Sequence, residues 1–261
     1  MIFTYKELKI NYEIFDEREE KNEDTKPLLL LHGWMANIPA WAPVYNYFKK
    51  TRPVYVIDFP GQGGKSSTLN EVWGVPEYSY MVKEFIKEMQ IEKCDVIGHS
   101  FGGRVIIYLA SKYKDLFNRI ILTDSAGILP KTSAVKAIKK GIFGIGKNVL
   151  KTVLSSEKYD EAVEGLRKKT ASSDYAALDN EIMRESFKKI INLDLKENLK
   201  DINNSTLIIW GENDQETPMY MAKIMEEEIK DSGLVVLENA GHFSYLDNST
   251  KYLIVANEFL K

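Results

Sequence analysis

Ser100 lies in the segment Gly98-His99-Ser100-Phe101-Gly102. This segment follows an apolar run that reads as a strand and opens an apolar-periodic helix. A sharp strand-to-helix turn of this kind, a nucleophile elbow, lifts one serine hydroxyl clear of a sheet, and its flanking glycines avoid the clash a Cβ would make. The N–H groups that open the helix then point at whatever the serine attacks. A hydroxyl becomes a nucleophile only beside a base, so the histidines decide the matter. The chain has three, His32, His99 and His242. Each falls in a loop at the carboxyl end of a predicted strand, the edge where open α/β sheets hold their sites. They form no i, i+4 pair and have no companion cysteines, so no metal centre is expected.

His242, in Asn239-Ala240-Gly241-His242-Phe243, follows the last predicted strand and could take a proton from Ser100. Asp214, in Gly211-Glu212-Asn213-Asp214, follows the preceding strand and could hold the imidazole tautomer. Glu212 and Asp124 compete for that role, and Asp124 would substitute if the acid sat one strand earlier. The order Ser100, Asp214, His242 matches one known triad scaffold and differs from the trypsin-like and subtilisin-like orders. An oxyanion would be held by the backbone N–H groups of Trp34, in His32-Gly33-Trp34, and of Phe101. His32 is expected to brace its loop through hydrogen bonds, and His99 to be structural.

These residues need a scaffold, and the chain supplies one. Leu28-Leu29-Leu30-Leu31, Val54-Tyr55-Val56-Ile57, the run before Ser100 and Arg119-Ile120-Ile121-Leu122-Thr123 are apolar strands. Helical patterns, including Tyr78, Met81, Val82, Phe85, Ile86 and Met89 on one stripe, separate them. Such alternation signals a mostly parallel sheet with helices on both faces. Before it, Thr4 to Phe15 alternates apolar and polar as antiparallel strands do, with the charged run Asp16 to Lys26 read as their turn. From about Ile128 to Leu199 the rhythm breaks into helical patterning. It resumes with strands at Ser205–Trp210 and Leu234–Leu237 and helices at Pro218–Ile229 and Thr250–Leu260. The expected division is therefore a core of residues 1–127 and 200–261 with a helical cap inserted at 128–199. The loop Asp58-Phe59-Pro60-Gly61-Gln62-Gly63-Gly64-Lys65-Ser66 fits neither phosphate-binding fingerprint, since Phe59 and Ser66 stand where glycines are needed, and reads as a structural turn.

Composition narrows the function classes. At 261 residues with 44% hydrophobic and 28% charged residues, the chain can bury a sizeable core. A net charge of −3 argues against a general nucleic-acid binder. The lysines from Lys136 to Lys151 are interleaved with apolar residues and read as a solvated helix face rather than a membrane patch. No run is apolar and long enough to span a bilayer, and the N-terminus lacks a signal-peptide layout. The single cysteine, Cys94, suits a reducing compartment and is expected to be a buried thiol. A cytoplasmic protein is the expectation.

Taken together, His32-Gly33-Trp34, the Asp58–Gly63 loop, Gly98-His99-Ser100-Phe101-Gly102-Gly103, the Gly211–Asp214 turn and Gly241-His242 resemble the α/β-hydrolase superfamily over nearly the whole chain. The resemblance implies a cofactor-free Ser-His-Asp hydrolase working through a covalent acyl-enzyme, with a helical cap where the strand rhythm breaks. Members with an aspartate nucleophile are set aside because position 100 is serine. Phe143, Tyr175, Met183, Phe187 and Phe243 are candidate substrate-lining residues, together with Trp34, Phe101 and Ile145. They point to a small-molecule substrate with an apolar acyl group, cleaved as a carboxylic ester. The alternatives are a carbon–carbon bond hydrolase of the meta-cleavage product type and a ligand-binding protein with a slow triad.

Overall fold

A computed structural model describes residues 1–22, 25–129 and 180–261. Eight strands form one sheet in the order β1-β2-β4-β3-β5-β6-β7-β8. In chain order they are β1 (Ile2–Tyr5), β2 (Leu8–Phe15), β3 (Leu28–Leu31), β4 (Val54–Ile57), β5 (Cys94–His99), β6 (Phe117–Thr123), β7 (Thr206–Gly211) and β8 (Ser232–Leu237). β1 pairs with β2 and β2 with β4 antiparallel, while every pairing from β4 to β8 is parallel. The turn joining β1 to β2 is Lys6-Glu7, both at positive φ (44° and 62°), and the run Asp16 to Lys26 instead links β2 to β3. The expectation failed there because neither turn residue is a glycine or asparagine, the usual markers of positive φ.

Period-two alternation sorts the central strands into two cores. Leu29 and Leu31, Val96, Ile120 and Leu122, and Ile208 and Trp210 face one side. Leu28 and Leu30, Val54 and Val56, Ile97, Ile121 and Ile209 face the other. The first side is covered by α2 (Val75–Glu88), α3 (Phe101–Lys112) and α6 (Tyr220–Glu228); the second by α1 (Ala42–Phe48), α7 (Ser244–Asp247) and α8 (Ser249–Leu260). Continuous apolar strands are what two covered faces require. Cys94 is buried within β5, as expected.

Between β6 and β7 the described chain returns through α4 (Glu181–Ile191) and α5 (Lys196–Leu199). α4 starts at Asn180, whose side chain accepts the Ile182 N–H and so satisfies one of the helix's free donors. Ser186 on α4 accepts the Trp73 N–H at 3.0 Å, and Lys189 pairs with Glu77 at 2.8 Å. The next stretch is pinned to the elbow helix, where the buried Arg104 donates to the Leu193 carbonyl at 2.8 Å. Leu195 N–H donates to Gly127 O at 2.8 Å. The chain thus re-enters the sheet against α2 and α3. Among the described residues, no helix is long and apolar enough to cross a membrane.

Candidate active site

The parallel registers bring five loops to one edge. Leu31 pairs with Gly98, His99 with Thr123, and Gly211 with Leu237. The next residues along β3, β5, β6, β7 and β8 are therefore His32-Gly33-Trp34, Ser100, Asp124, the turn to Asp214 and the loop to His242. This is the carboxyl edge of the sheet.

Ser100 sits between β5 and α3 with φ 49° and ψ −107°, a backbone setting that costs a non-glycine residue about 1–3 kcal/mol. Three N–H groups converge on its carbonyl and hold it there, from Gly103 at 3.1 Å, Arg104 at 3.4 Å and Ala126 at 3.1 Å; its own N–H donates to Thr123 O at 3.1 Å. Gly102 is required because a Cβ there would collide with the Leu31 carbonyl. Phe101 opens α3, so its N–H has no intrahelical acceptor.

The other candidate donor is on the loop after β3. His32 accepts the Phe59 N–H at Nε2 (2.9 Å), which leaves Nδ1–H to donate to Gly33 O (2.8 Å). Burial holds its pKa down at about 4, so the ring is a neutral brace, as its expected role requires. Gly33 lies close over the elbow: a Cβ would come 2.6 Å from His99 Nδ1 and 3.5 Å from Ser100 Cβ. The Trp34 ring meets Phe101 edge-on at 5.5 Å and Phe187 at 5.2 Å. Asp58 anchors the neighbouring loop by accepting from Ile38 N–H at 2.7 Å, Asn11 Nδ2 at 2.7 Å and Lys65 N–H at 3.0 Å.

Asp214 and His242 meet. His242 Nδ1 is 2.9 Å from Asp214 Oδ2, with the carboxylate side chain fully buried and the imidazole nearly so. Thr217 Oγ1 donates to the same oxygen at 2.6 Å, while the Glu216 and Thr217 N–H groups both donate to Oδ1 at 2.9 Å. Burial by itself would raise the Asp214 pKa. The hydrogen bonds from His242 and Thr217 outweigh burial and hold it below the usual carboxylate value. For His242 burial acts downward, and the Asp214 hydrogen bond and charge, helped by Glu216 and Asp124, raise it above 6.5. With Nδ1–H committed to a carboxylate, Nε2 carries the free lone pair.

His99 ties this loop to the elbow, donating from Nε2 to the His242 carbonyl at 2.7 Å with the two rings 4.9 Å apart. The loop that carries His242 is thereby fastened to the residue immediately before Ser100. Among the described residues Ser100 Oγ has no hydrogen-bond partner, and His242 Nε2 instead stands 3.5 Å from Glu216 Oε2. Hydrogen bonds of this kind often tighten only when substrate is bound.

Of the two competitors for Asp214, Glu212 accepts the Asn239 N–H at 3.2 Å on the exposed side of its turn. Asp124 accepts from Gly211 N–H and from Ser244, and neither touches the imidazole. Met183 is buried with its thioether against Gly61, Phe187 lies against Trp34, and Phe243 is exposed at the rim with its ring 5.0 Å from His99. Phe143, Tyr175 and Ile145 lie outside the described residues. Glu216 and Thr217 went unnoticed in the sequence. The signal for Thr217 was present in Asp214-x-x-Thr217-Pro218, an aspartate positioned to cap its own turn. Among the described residues, no three His, Cys, Asp or Glu side chains converge as metal ligands would.

The family model for the alpha/beta hydrolase fold matches residues 26–249. A pimeloyl-[acyl-carrier protein] methyl ester esterase of Neisseria meningitidis is 23% identical over 94% of this chain and 97% of its own length. A 2-hydroxymuconate semialdehyde hydrolase of a Pseudomonas species is 21% identical over 90% of this chain and 86% of its own. The crystal structure of the enol-lactonase from Burkholderia xenovorans superimposes with a TM-score of 0.75 at 19% identity, covering 100% of this chain and 99% of the other.

Proposed function

Because the chain belongs to the α/β-hydrolase fold family, we propose that it is a serine hydrolase that cleaves a carboxylic ester of a small, largely apolar substrate. Ser100 is the nucleophile, His242 the base, Asp214 the orienting acid, and the Trp34 and Phe101 N–H groups the oxyanion donors. The observation that carries this reading is the 2.9 Å bond between His242 Nδ1 and Asp214 Oδ2, which leaves Nε2 free to accept a proton. In acylation His242 takes the Ser100 proton, Ser100 Oγ bonds to the carbonyl carbon, and the leaving alcohol departs with that proton. Water, deprotonated by the same imidazole, then releases the acid and regenerates Ser100.

The acyl group would lie against Trp34, Phe101, Met183 and Phe187, with Phe243 at the rim. The segment 128–199 is assigned as the cap. Its described end contributes Met183 and Phe187, and Phe143 and Tyr175 belong to the same assignment. The similarity to a carboxylic methyl ester esterase supports ester cleavage. A second reading, cleavage of a carbon–carbon bond in a vinylogous diketo acid, has the similarity to a semialdehyde hydrolase in its favour. Purified protein assayed against nitrophenyl esters of graded acyl length and a vinylogous diketo acid separates the two. Ester turnover that vanishes in Ser100→Ala is expected. Turnover of the diketo acid alone would favour the second reading, and turnover of neither would contradict both.

A further inference from the structure

Glu216 Oε2 stands 3.5 Å from His242 Nε2, the ring nitrogen that the Asp214 bond leaves free. The Glu216 side chain is 63% exposed and that of His242 only 10%, so the carboxylate reaches in from solvent toward a mostly buried ring. Its place is set by its backbone. Glu216 N–H and Thr217 N–H both bind Asp214 Oδ1, and Trp210 Nε1 holds Thr217 O at 2.7 Å. The main chain at Glu216 is therefore fixed beside Asp214, and its carboxylate can extend from there to the ring. Among the described residues, no lysine or arginine pairs with this carboxylate, whereas Asp214 and Asp124 are saturated by their own donors.

Chemistry then places something beside it. When the bond from the acyl carbon to Ser100 Oγ forms and the bond to the leaving oxygen breaks, His242 Nε2 must hand its proton to that oxygen at hydrogen-bond distance. The substituent on the leaving oxygen is thus brought alongside the carboxylate that borders Nε2. We propose that Glu216 makes the leaving-group side of this site selective for cations, favouring esters of amino alcohols over neutral isosteres and disfavouring anionic leaving groups. The inference rests on the reading of Ser100 and His242 as nucleophile and base and refines its substrate class: an apolar acyl group on one side, a positively charged alcohol on the other.

Two matched probe pairs test it. The first is the acetate esters of choline and of 3,3-dimethylbutanol, which share a shape and differ by one charge. The second is a pair of methylphosphonothioates carrying the corresponding charged and neutral thiolate leaving groups, which modify Ser100 without any need for turnover. In both pairs the charged member should react faster by about fivefold, the upper range for an exposed ion pair, and the preference should weaken in high salt. Glu216→Gln should bring the ratio close to one and Glu216→Lys should invert it. A ratio unchanged in Glu216→Gln overturns the proposal. So does an equal change in both members of a pair, which would mean that Glu216 acts only through His242. If neither ester turns over while the phosphonothioate ratio holds, the ester reading falls and the role of Glu216 stands. If Ser100 reacts with neither phosphonothioate, both fall.

Discussion

Asp124 and Ser244, 120 residues apart in sequence, are joined twice, by the Ser244 N–H at 3.0 Å and by its hydroxyl at 2.6 Å. The same carboxylate accepts the Gly211 N–H at 2.7 Å. One buried side chain at the end of β6 therefore fastens β7 and the loop that carries His242, two residues before Ser244. Burial pushes its pKa up to about 7, against three donors that favour the charged form. Asp124→Ala strands those donors, and the expected cost is about 3 kcal/mol of stability, read by urea denaturation. kcat/KM should fall with it as His242 loses its support. Unchanged stability would show that the three bonds contribute nothing.

Gly33→Ala probes the fit of the loop over the elbow. A Cβ there would come 2.6 Å from His99 Nδ1 and 3.0 Å from Cε1. His99 is fully buried and bonded to the His242 carbonyl, so the loop must shift instead, at about 1–3 kcal/mol. The Trp34 N–H moves with it. The expected signature is a kcat loss larger than any rise in KM, because a displaced oxyanion donor matters most in the transition state. Wild-type kcat would contradict the assignment of Trp34.

Activity should depend on pH through His242. Only the neutral imidazole can accept the Ser100 proton, and Asp214, Glu216 and Asp124 raise its pKa above 6.5 against the pull of burial. kcat/KM should therefore rise with pH through a midpoint above 6.5. Asp214→Asn removes the charge and the proper tautomer together, so the midpoint should move down and activity should drop by about 1,000-fold or more. An acid limb at or below the ordinary histidine value in the wild type would argue against His242 as the base.

Stability should depend on pH through the other two histidines. Burial holds His32 at about 4 and His99 at about 3, with the neighbouring His242 adding to the depression of His99. Below the unfolded value of 6.5 the unfolded chain binds protons that the native ring refuses. Their stability contribution is thus complete above 6.5 and lost as pH falls, by about 2 kcal/mol each near pH 5. His242 and Asp124, both with raised pKa values, contribute in the opposite sense: their share is present at low pH and lost as pH rises through the native value, so they offset the fall. The histidine share is therefore read by difference: between about pH 7.5 and about pH 5, urea denaturation of His32→Gln should show a smaller loss (or larger gain) of stability than wild type. An identical pH response in the two proteins would contradict the buried neutral assignment of His32.

Much of this arrangement was legible because the central strands are continuous apolar runs, and both covered faces of a parallel sheet demand that pattern. His32 and Ser100 follow such a run directly, and Asp214 and His242 come a few residues after the ends of the last two strands, so their shared edge could be read from order alone. Glu216 could not be found that way, being one exposed acid in a charged loop whose meaning appears only when Asp214 folds that loop back on His242. The partnership of Asp124 with Ser244 was hidden for another reason, since it crosses from the sixth strand to the last loop with no local spacing to betray it. The Lys6-Glu7 turn was missed because its positive φ angles are taken by residues that carry no turn signal.

Reaction with a fluorophosphonate, followed by intact mass and peptide mapping, tests the central claim most directly. One adduct per chain on Ser100 is predicted, absent in Ser100→Ala and formed far more slowly in His242→Ala. An adduct on another residue, or none on a folded protein, would contradict Ser100 as a nucleophile activated by His242.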